Sequence, residues 1–485
     1  MDRLAFEHHL TSPQGEGHTP ADAFTVTFGG GECCDEVTFS VQSDGTHVTD
    51  AGFSANGCGA SHAAASAAVT LVRGATLLDA ARVGADAIAT ELGGLSSAKR
   101  HAADVASDAL ARALGAAVRA CGSVPGHAGP GTPRTLVAMS GGVDSSVAAL
   151  LCAQDGEAVA VTLELWADSE NDAEKSCCSS SAVSQARALA QSLGLPHFTL
   201  DLRDEFRQGV VQPFIAAYAA GDTPNPCVGC NGHVRLDAML EFADRLGAAT
   251  LATGHYARVE ARGDAAGPLL RQAADPAKDQ TYMLAALSPE SLARMRFPLG
   301  DYEKPQVRAL AAQAGLPVAS KVDSQDLCFL AGTSRGRFLQ RHGGIAPHSG
   351  EIVDADGTVV GVHAGHELFT VGQRRGMRVT STEPLYVLDK DAGANRVVIG
   401  PREQLLTDRV RVRGARLHRD GVRVDRVKLR YRSNAVPARI SDSPAAGRHR
   451  ELMLALDEPV AGAAPGQLAC LMDGELIVGW GTIAR

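Results

Sequence analysis

No apolar run in this 485-residue chain is long enough to span a bilayer as a helix, which excludes the helical membrane-protein classes. The opening Met1-Asp2-Arg3-Leu4 lacks a basic stretch followed by an apolar one, so no secretory signal is expected. Internal repeats are missing too, which argues against a solenoid. The 11 cysteines lack the layout of a secreted disulfide framework, because several fall in tight pairs within a long chain. Cytosolic metal or redox chemistry and a cytoplasmic location are expected instead. There is no basic surplus: the net charge of −9 speaks against a polyanionic partner until its distribution is read. Residues 401–450 carry a local balance of +9 and residues 1–121 one of −7. The basic end suits a nucleic acid, and the acidic end suits a protein partner.

A chain this long exceeds one core, and two to four domains are expected. In Gly122–Pro133, GSVPGHAGPGTP, seven of 12 residues are Gly or Pro, which reads as a linker. Ahead of it lies an α+β pattern, with strands around Thr25–Phe28 and Val37–Val41. Alanine-rich helical segments follow at Ser61–Val72, Leu77–Leu92 and Ala98–Ala120. His8-His9 near the start reads as disordered. After the linker, strands and helices alternate: Thr135–Met139, Asp144–Gln154, Ala158–Leu163, Ala182–Leu193, His197–Leu202, Val234–Leu246 and Thr250–Thr253. That rhythm predicts a parallel, doubly wound sheet with ligands at the carboxyl ends of its strands. From about residue 333 the helical pattern fades, and residues 406–485 show short strands such as Val410-Arg411-Val412-Arg413 and Val427-Lys428-Leu429-Arg430-Tyr431. Apolar and basic residues alternate there, predicting a sheet or barrel with a positive outer face.

The most informative segment is Ser140-Gly141-Gly142-Val143-Asp144-Ser145, between a predicted strand and a predicted helix. Two glycines allow close approach of backbone to a phosphate, and the helix start presents unpaired N–H groups. No Gly-Lys-Ser/Thr follows at the spacing a Walker loop needs. SGGVDS resembles the PP-loop ATP pyrophosphatases, which cleave ATP to AMP and pyrophosphate while adenylating an oxygen; a purely structural glycine turn is the alternative. Further on, Thr223-Pro224-Asn225-Pro226-Cys227-Val228-Gly229-Cys230-Asn231 sets a CxxC just before a helix, where thiolates are favoured. A third cysteine, Cys328, lies in Asp323-Ser324-Gln325-Asp326-Leu327-Cys328-Phe329. No second CxxC in this half completes a four-cysteine zinc site.

Taken in order, SGGVDS, TPNPCxxCN, TGHY, KDQTYML and DSQDLCF resemble the tRNA-specific 2-thiouridylases, the MnmA/TrmU family, over roughly residues 134–485. The resemblance implies a PP-loop adenylating domain over 134–332, a central domain over 333–405 and a tRNA-binding C-terminal β-barrel over 406–485. It implies ATP with Mg2+ at Ala138, Met139, Ser140, Gly141, Gly142, Val143, Asp144 and Ser145, with Leu163 and Gly254 at the nucleotide. Cys230 matches the catalytic nucleophile and Cys328 the persulfide carrier. His255, Lys278, Asp279, Gln280, Arg430, Tyr431 and Gln467 match positions that meet tRNA. The implied reaction is ATP-dependent thiolation at C2 of the wobble uridine in tRNAs for Lys, Glu and Gln, with a cysteine desulfurase or another sulfur donor as partner. Cys227 stands where many relatives carry Asp, and Gly232 where Lys is usual. Cys227, Cys230 and Cys328 together form a three-thiolate set that suits a [4Fe–4S] cluster.

Glu32-Cys33-Cys34-Asp35, Asn56-Gly57-Cys58-Gly59-Ala60 and Lys99-Arg100-His101 resemble the iron–sulfur scaffold proteins of the IscU/NifU type, over residues 1–121. Matching position by position puts Cys33, Asp35, Cys58 and His101 on ligand positions for zinc or an iron–sulfur centre, while Ala102 replaces the third cysteine. Such a domain is a scaffold, a zinc-bearing docking module for a cysteine desulfurase, or a structural remnant. Two other readings of the whole chain compete: an iron–sulfur carrier with an ATP-dependent switch, and another PP-loop adenylating synthetase. Cys177-Cys178 reads as part of a loop over the nucleotide site, and Cys121, Cys152 and Cys470 read as packing residues.

Overall fold

The computed structural model describes residues 3–30, 34–120, 133–168, 180–261, 265–323 and 327–485. They form two compact units that the chain enters more than once: residues 1–203, 237–255 and 294–329, and residues 204–236, 256–293 and 330–485. No helix of the described residues is long and apolar enough to cross a membrane.

The first unit opens with helix α1 (Arg3–Thr11) and an antiparallel sheet of β1 (Phe24–Gly29), β2 (Glu36–Ser43) and β3 (Val48–Asn56). Alternation in β2 turns Val37, Phe39 and Val41 inward, each fully buried. Helices α2 (Gly59–Val72), α3 (Leu77–Ala80), α4 (Ala85–Glu91) and α5 (Arg100–Ala120) follow. The α+β expectation holds, with one difference: Leu77–Leu92 is two helices. The first ends at Ala80, and Gly84, extended at φ −107° and ψ −179°, caps the second. His8 and His9 lie within α1, and His9 is buried with its ring nitrogen 2.9 Å from the Ser66 hydroxyl.

The same unit continues with β4 (Thr135–Ala138), helix α6 (Val143–Asp155), β5 (Ala158–Glu164), helix α7 (Ser180–Ser192), β6 (His197–Asp201) and β7 (Thr250–Thr253). With the short strand Met295–Arg296 they build a five-stranded parallel sheet in which β4 is central and β6 an edge. β4 and β5 are buried almost throughout, as strands covered on both faces must be. The doubly wound expectation is therefore borne out, and the Ser140 loop leaves the carboxyl end of the central strand.

The second unit holds two sheets. Strands 350–353, 359–363, 386–391 and 396–400 form a four-stranded sheet over a core that includes Ile352, Phe369, Val387, Val397 and Ile399. In an eight-stranded antiparallel sheet six strands close into a barrel, because Leu406–Leu417 pairs with both Gly447–Ala461 and Leu476–Ile483. In its first strand Val410 and Val412 are buried while Arg409 and Arg411 face outward, as the alternation predicts. The pattern fails after Lys428, where the strand ends; Lys428 is buried 3.5 Å from Asp279. Two strands that sequence reading missed, Arg258–Glu260 and Leu269–Arg271, extend this sheet from far upstream.

Candidate functional site

The loop after β4 takes its shape from sequence-local hydrogen bonds. The Ser140 N–H donates to Ser145 Oγ at 3.1 Å, and the Ser145 and Ser146 hydroxyls donate to the Gly142 carbonyl at 3.2 and 2.8 Å. Gly141 adopts φ +68°, and a Cβ there would lie 2.9 Å from the Ala182 carbonyl oxygen of α7. Only glycine meets both demands. Gly142 caps α6 in an extended conformation, leaving the first N–H groups of that helix open toward the loop. Gly254, after β7, is equally constrained: a Cβ would stand 2.7 Å from the Ser145 nitrogen. Leu163 is buried at the end of β5, and His255 is half-buried, with Nδ1 2.8 Å from Thr253 Oγ1. The first unit thus assembles Ala138–Ser145, Leu163, Gly254 and His255 around one strand end.

Two lysines reach this loop from about 160 and 180 residues away in sequence, and no local signal announces them. Lys304 Nζ lies 2.8 Å from both carboxylate oxygens of Asp144 and 2.8 Å from Asp323, which Arg308 also meets at 3.1 Å. Lys321 Nζ donates to the Gly141 carbonyl at 3.0 Å. Two ammonium groups, open helix N–H groups and a carboxylate suit a magnesium–triphosphate.

In the second unit, the cysteine loop is fixed at its start. Asn225 caps the turn Pro226–Gly229 by accepting the Cys227 N–H at 3.1 Å, and Gln467 Nε2 donates to the Thr223 carbonyl at 2.6 Å. Cys227 therefore sits inside the first helical turn, and Cys230 opens a wider turn, Cys230–Arg235, ahead of the helix Leu236–Arg245. The helix begins earlier than the periodicity predicts, because Asn225 and Pro226 supply a cap and a first-turn proline. Cys230 is buried and Cys227 half-buried. Asn231 Nδ2 donates to the Met283 carbonyl at 3.1 Å, tying the loop to the KDQTYML segment. Gly232 fits because a Cβ would come within 2.8 Å of the Ala286 methyl, so the absent lysine has no room here.

The other expected tRNA positions fall in this unit too. Asp279 is buried and accepts from the Ala273 and Thr281 N–H groups at 3.2 and 3.4 Å, so its carboxylate orders its own turn. Gln280 Oε1 accepts the Tyr256 N–H at 3.0 Å, and Arg430 Nε donates to the Gly462 carbonyl at 3.0 Å. Burial first, then the negative charge of Asp279, raises the Tyr431 phenol above its usual range, while Arg432 and Lys278 oppose the shift. Cys328 opens a short turn, Cys328–Leu330, at the end of the first unit. Ser324, Gln325 and Asp326, just before it, are outside the described residues.

The N-terminal domain gathers Asp35, Cys58 and His101 so that their ligand atoms lie within 4.8 Å of one another. Cys58 Sγ is 3.4 Å and His101 Nε2 is 3.1 Å from Asp35 Oδ2. His101 Nδ1 lies 3.0 Å from the Ala98 carbonyl, an arrangement that leaves Nε2 for a metal. Burial works to raise the Asp35 pKa, but hydrogen bonds from Ser61, Cys58 and His101 outweigh it and hold the carboxyl below its usual range. The Asp/Cys/His donor set fits zinc. Cys33 is outside the described residues, and Ala102 is fully buried. Zinc titration of the full chain against a competing chelator should show a site that Cys58→Ala weakens by about 100-fold or more. An unchanged affinity would remove Cys58 from the site.

A family model described as the NifU-like N terminal domain matches residues 5–119, and one described as the tRNA methyl transferase HUP domain matches residues 133–332. The tRNA methyl transferase PRC-barrel domain follows at 336–401 and the aminomethyltransferase beta-barrel domain at 404–483. Over 98% of its length the chain is 41% identical to the bifunctional protein NifU/MnmA of Rubrobacter xylanophilus, of which the match covers 97%. The chain belongs to the bifunctional NifU/MnmA family. Residues of the MnmA part also resemble the tRNA-specific 2-thiouridylase MnmA of Methylorubrum extorquens, 42% identical over 73% of this chain and 94% of that protein. The protein of the same name from Geobacter metallireducens is 41% identical over 72% of this chain and 96% of its own length.

Set in the NifU/MnmA family, the remaining cysteines divide plainly. Cys152 and Cys470 are buried, and burial pushes their thiols up to about 11 and about 12, so both are packing residues as expected. Cys121, Cys177 and Cys178 are outside the described residues.

Proposed function

We propose that this chain is an AMP-forming tRNA-uridine 2-sulfurtransferase that thiolates C2 of the wobble uridine in tRNAs for Lys, Glu and Gln. The observation that carries this reading is the loop at Ser140–Ser145, whose glycine geometry and open helix start suit a nucleotide phosphate. Ala138–Ser145, Leu163 and Gly254 bind ATP, with Lys304 and Lys321 at its phosphates. Asp144 is the residue that would hold Mg2+.

The C2 oxygen of uridine is a poor leaving group. Attack of that oxygen on the α-phosphorus of ATP expels pyrophosphate and leaves an adenylated base. The terminal sulfur of a Cys328 persulfide, loaded by a cysteine desulfurase or another donor, then attacks C2 and AMP departs. Cys230 thiolate attacks Cys328 Sγ, releases the sulfur to the base and leaves a Cys230–Cys328 disulfide, which an external thiol reduces. The tRNA presents its anticodon to a basic face that includes the outward Arg409 and Arg411 and to His255, Lys278, Gln280, Arg430, Tyr431 and Gln467, while Asp279 shapes the turn beside them. The base must leave its stack to react.

Half-buried Cys227, one turn before Cys230, favours a second route. Cys227, Cys230 and Cys328 supply the three thiolates a [4Fe–4S] cluster takes, and a bound cluster would supply an open iron for sulfide. The functional division follows residues 1–121, 134–332, 333–405 and 406–485. The N-terminal part serves as a sulfur-side module that takes zinc or an iron–sulfur centre.

The test is thiolation of unmodified tRNA by the full chain with ATP and a sulfur source, a cysteine desulfurase with cysteine for the persulfide route and sulfide for the cluster route. Thiouridine should form in step with AMP and pyrophosphate, only where the wobble base is uridine. Thiolation that proceeds without AMP formation would overturn the proposal.

A further inference from the structure

Helix α5 is buried on almost every face. Ala103, Ala106, Leu110, Leu114 and Val118 are buried, and so are Asp108 at 2% and Arg112 at 6% exposure. A helix serving only its own three-stranded sheet would show one buried stripe. Here one side meets β1, β2 and α2, and the other meets β6 and α7 of the adenylating half. The approach is close: a Cβ on Gly115 would lie 2.1 Å from the Thr199 carbonyl oxygen of β6. This edge strand is also satisfied from the N-terminal domain, since the His197 N–H donates to the Ala81 carbonyl at 2.9 Å and Arg119 to the Asp201 carbonyl at 2.8 Å.

Charged side chains pair across this seam. Arg187 of α7 donates through Nε to Asp108 at 2.9 Å and through Nη1 to Ser107 Oγ at 2.8 Å. Ser184 Oγ donates to the other Asp108 oxygen at 2.5 Å. Arg112 donates to Glu164 through Nε at 3.1 Å and Nη2 at 2.5 Å, to the Asp108 carbonyl at 3.0 Å, and stacks 3.9 Å from the Phe28 ring centre. Asp108, Arg112 and Arg187 are thus buried at this contact, with Glu164 and the more exposed Asp104, 3.6 Å from Arg187, at its margin. Apolar residues of similar size would hold such a seam as firmly, so the forked charges are of use for direction.

Their targets are the two elements that flank the nucleotide loop. Glu164 ends β5, next to Leu163. Ser184 and Arg187 belong to α7, whose Ala182 carbonyl and Ala186 nitrogen stand 2.9 and 3.4 Å from a Cβ on Gly141. We propose that Arg112 and Asp108 of the N-terminal domain are positioning residues for ATP, holding the end of β5 and α7 against the Ser140–Ser145 loop. The inference rests on the reading of that loop as a nucleotide site.

The full chain tests it by calorimetric ATP binding and steady-state thiolation. Arg112→Gln should raise the Kd and KM for ATP about 10-fold while the KM for tRNA stays within about twofold. Arg112→Lys, which keeps the charge but loses the fork, should fall between. A Kd for ATP within about twofold of wild type in Arg112→Gln would overturn the inference. Should that variant fail to fold, hydrogen exchange on the wild type decides: ATP should slow amides at 108–115 together with those at 180–192, and protection confined to 180–192 would overturn the inference. A wild-type chain that binds no ATP would instead overturn the nucleotide reading and this inference with it.

Discussion

Cys230→Ser and Cys328→Ser should each lower thiolation of unmodified tRNA by about 10³-fold or more, with ATP-dependent adenylation of the base retained. A serine hydroxyl at 328 cannot carry a persulfide, and one at 230 cannot release sulfur by forming a disulfide. Neither change touches the Ser140–Ser145 loop, so formation of AMP and pyrophosphate separates the two half-reactions. Thiouridine is read by nucleoside mass spectrometry after digestion of the tRNA. The persulfide route predicts that Cys227→Ser stays within about threefold of wild type. Loss in all three variants, accompanied by loss of iron from anaerobically purified protein, would move the assignment to the cluster. Retention of thiolation in Cys230→Ser would refute both.

Asp108→Ala should destabilise the adenylating half by about 3–5 kcal/mol, because it leaves Arg112 and Arg187 buried without their shared carboxylate. In a domain of this size that corresponds to a fall in Tm on the order of 10 °C for the transition, measured by calorimetry on the full chain. Asp108→Asn keeps one oxygen to accept from Arg187 and places an amide N–H that the Ser184 hydroxyl can accept, and it should cost less. A shift below about 2 °C for the alanine variant would show that the seam gains little from this carboxylate.

The parts of the fold that sequence made legible are those where one short segment fixes its own geometry. SGGVDS dictates its loop through Gly141 at φ +68° and serine-to-backbone hydrogen bonds spanning at most five residues. The inward valines and outward arginines of Val410–Arg413 follow from strand alternation alone. The Asp35, Cys58 and His101 grouping was reachable because a known motif order stood in for the missing distances. What stayed hidden depends on contacts between distant segments. Nothing near Lys304 or Lys321 indicates that each reaches the loop at Asp144 or Gly141. The strands Arg258–Glu260 and Leu269–Arg271 are too short to show a period; a partner more than 200 residues downstream recruits the second, and the second recruits the first. Helix α5 offered a clue that periodicity does not weigh: Asp108 and Arg112 lie inside an alanine-rich helix, where charged residues must find partners once buried.

The covered edge of β6 has a consequence for how such a protein is made. Two separately encoded partners meeting through this surface would pair only as far as their abundances and dissociation constant allowed. Carried on one polypeptide, they meet at the millimolar effective concentration typical of a short tether, and supply is fixed at one to one. Every adenylating half therefore leaves the ribosome with its own escort, whatever the expression level.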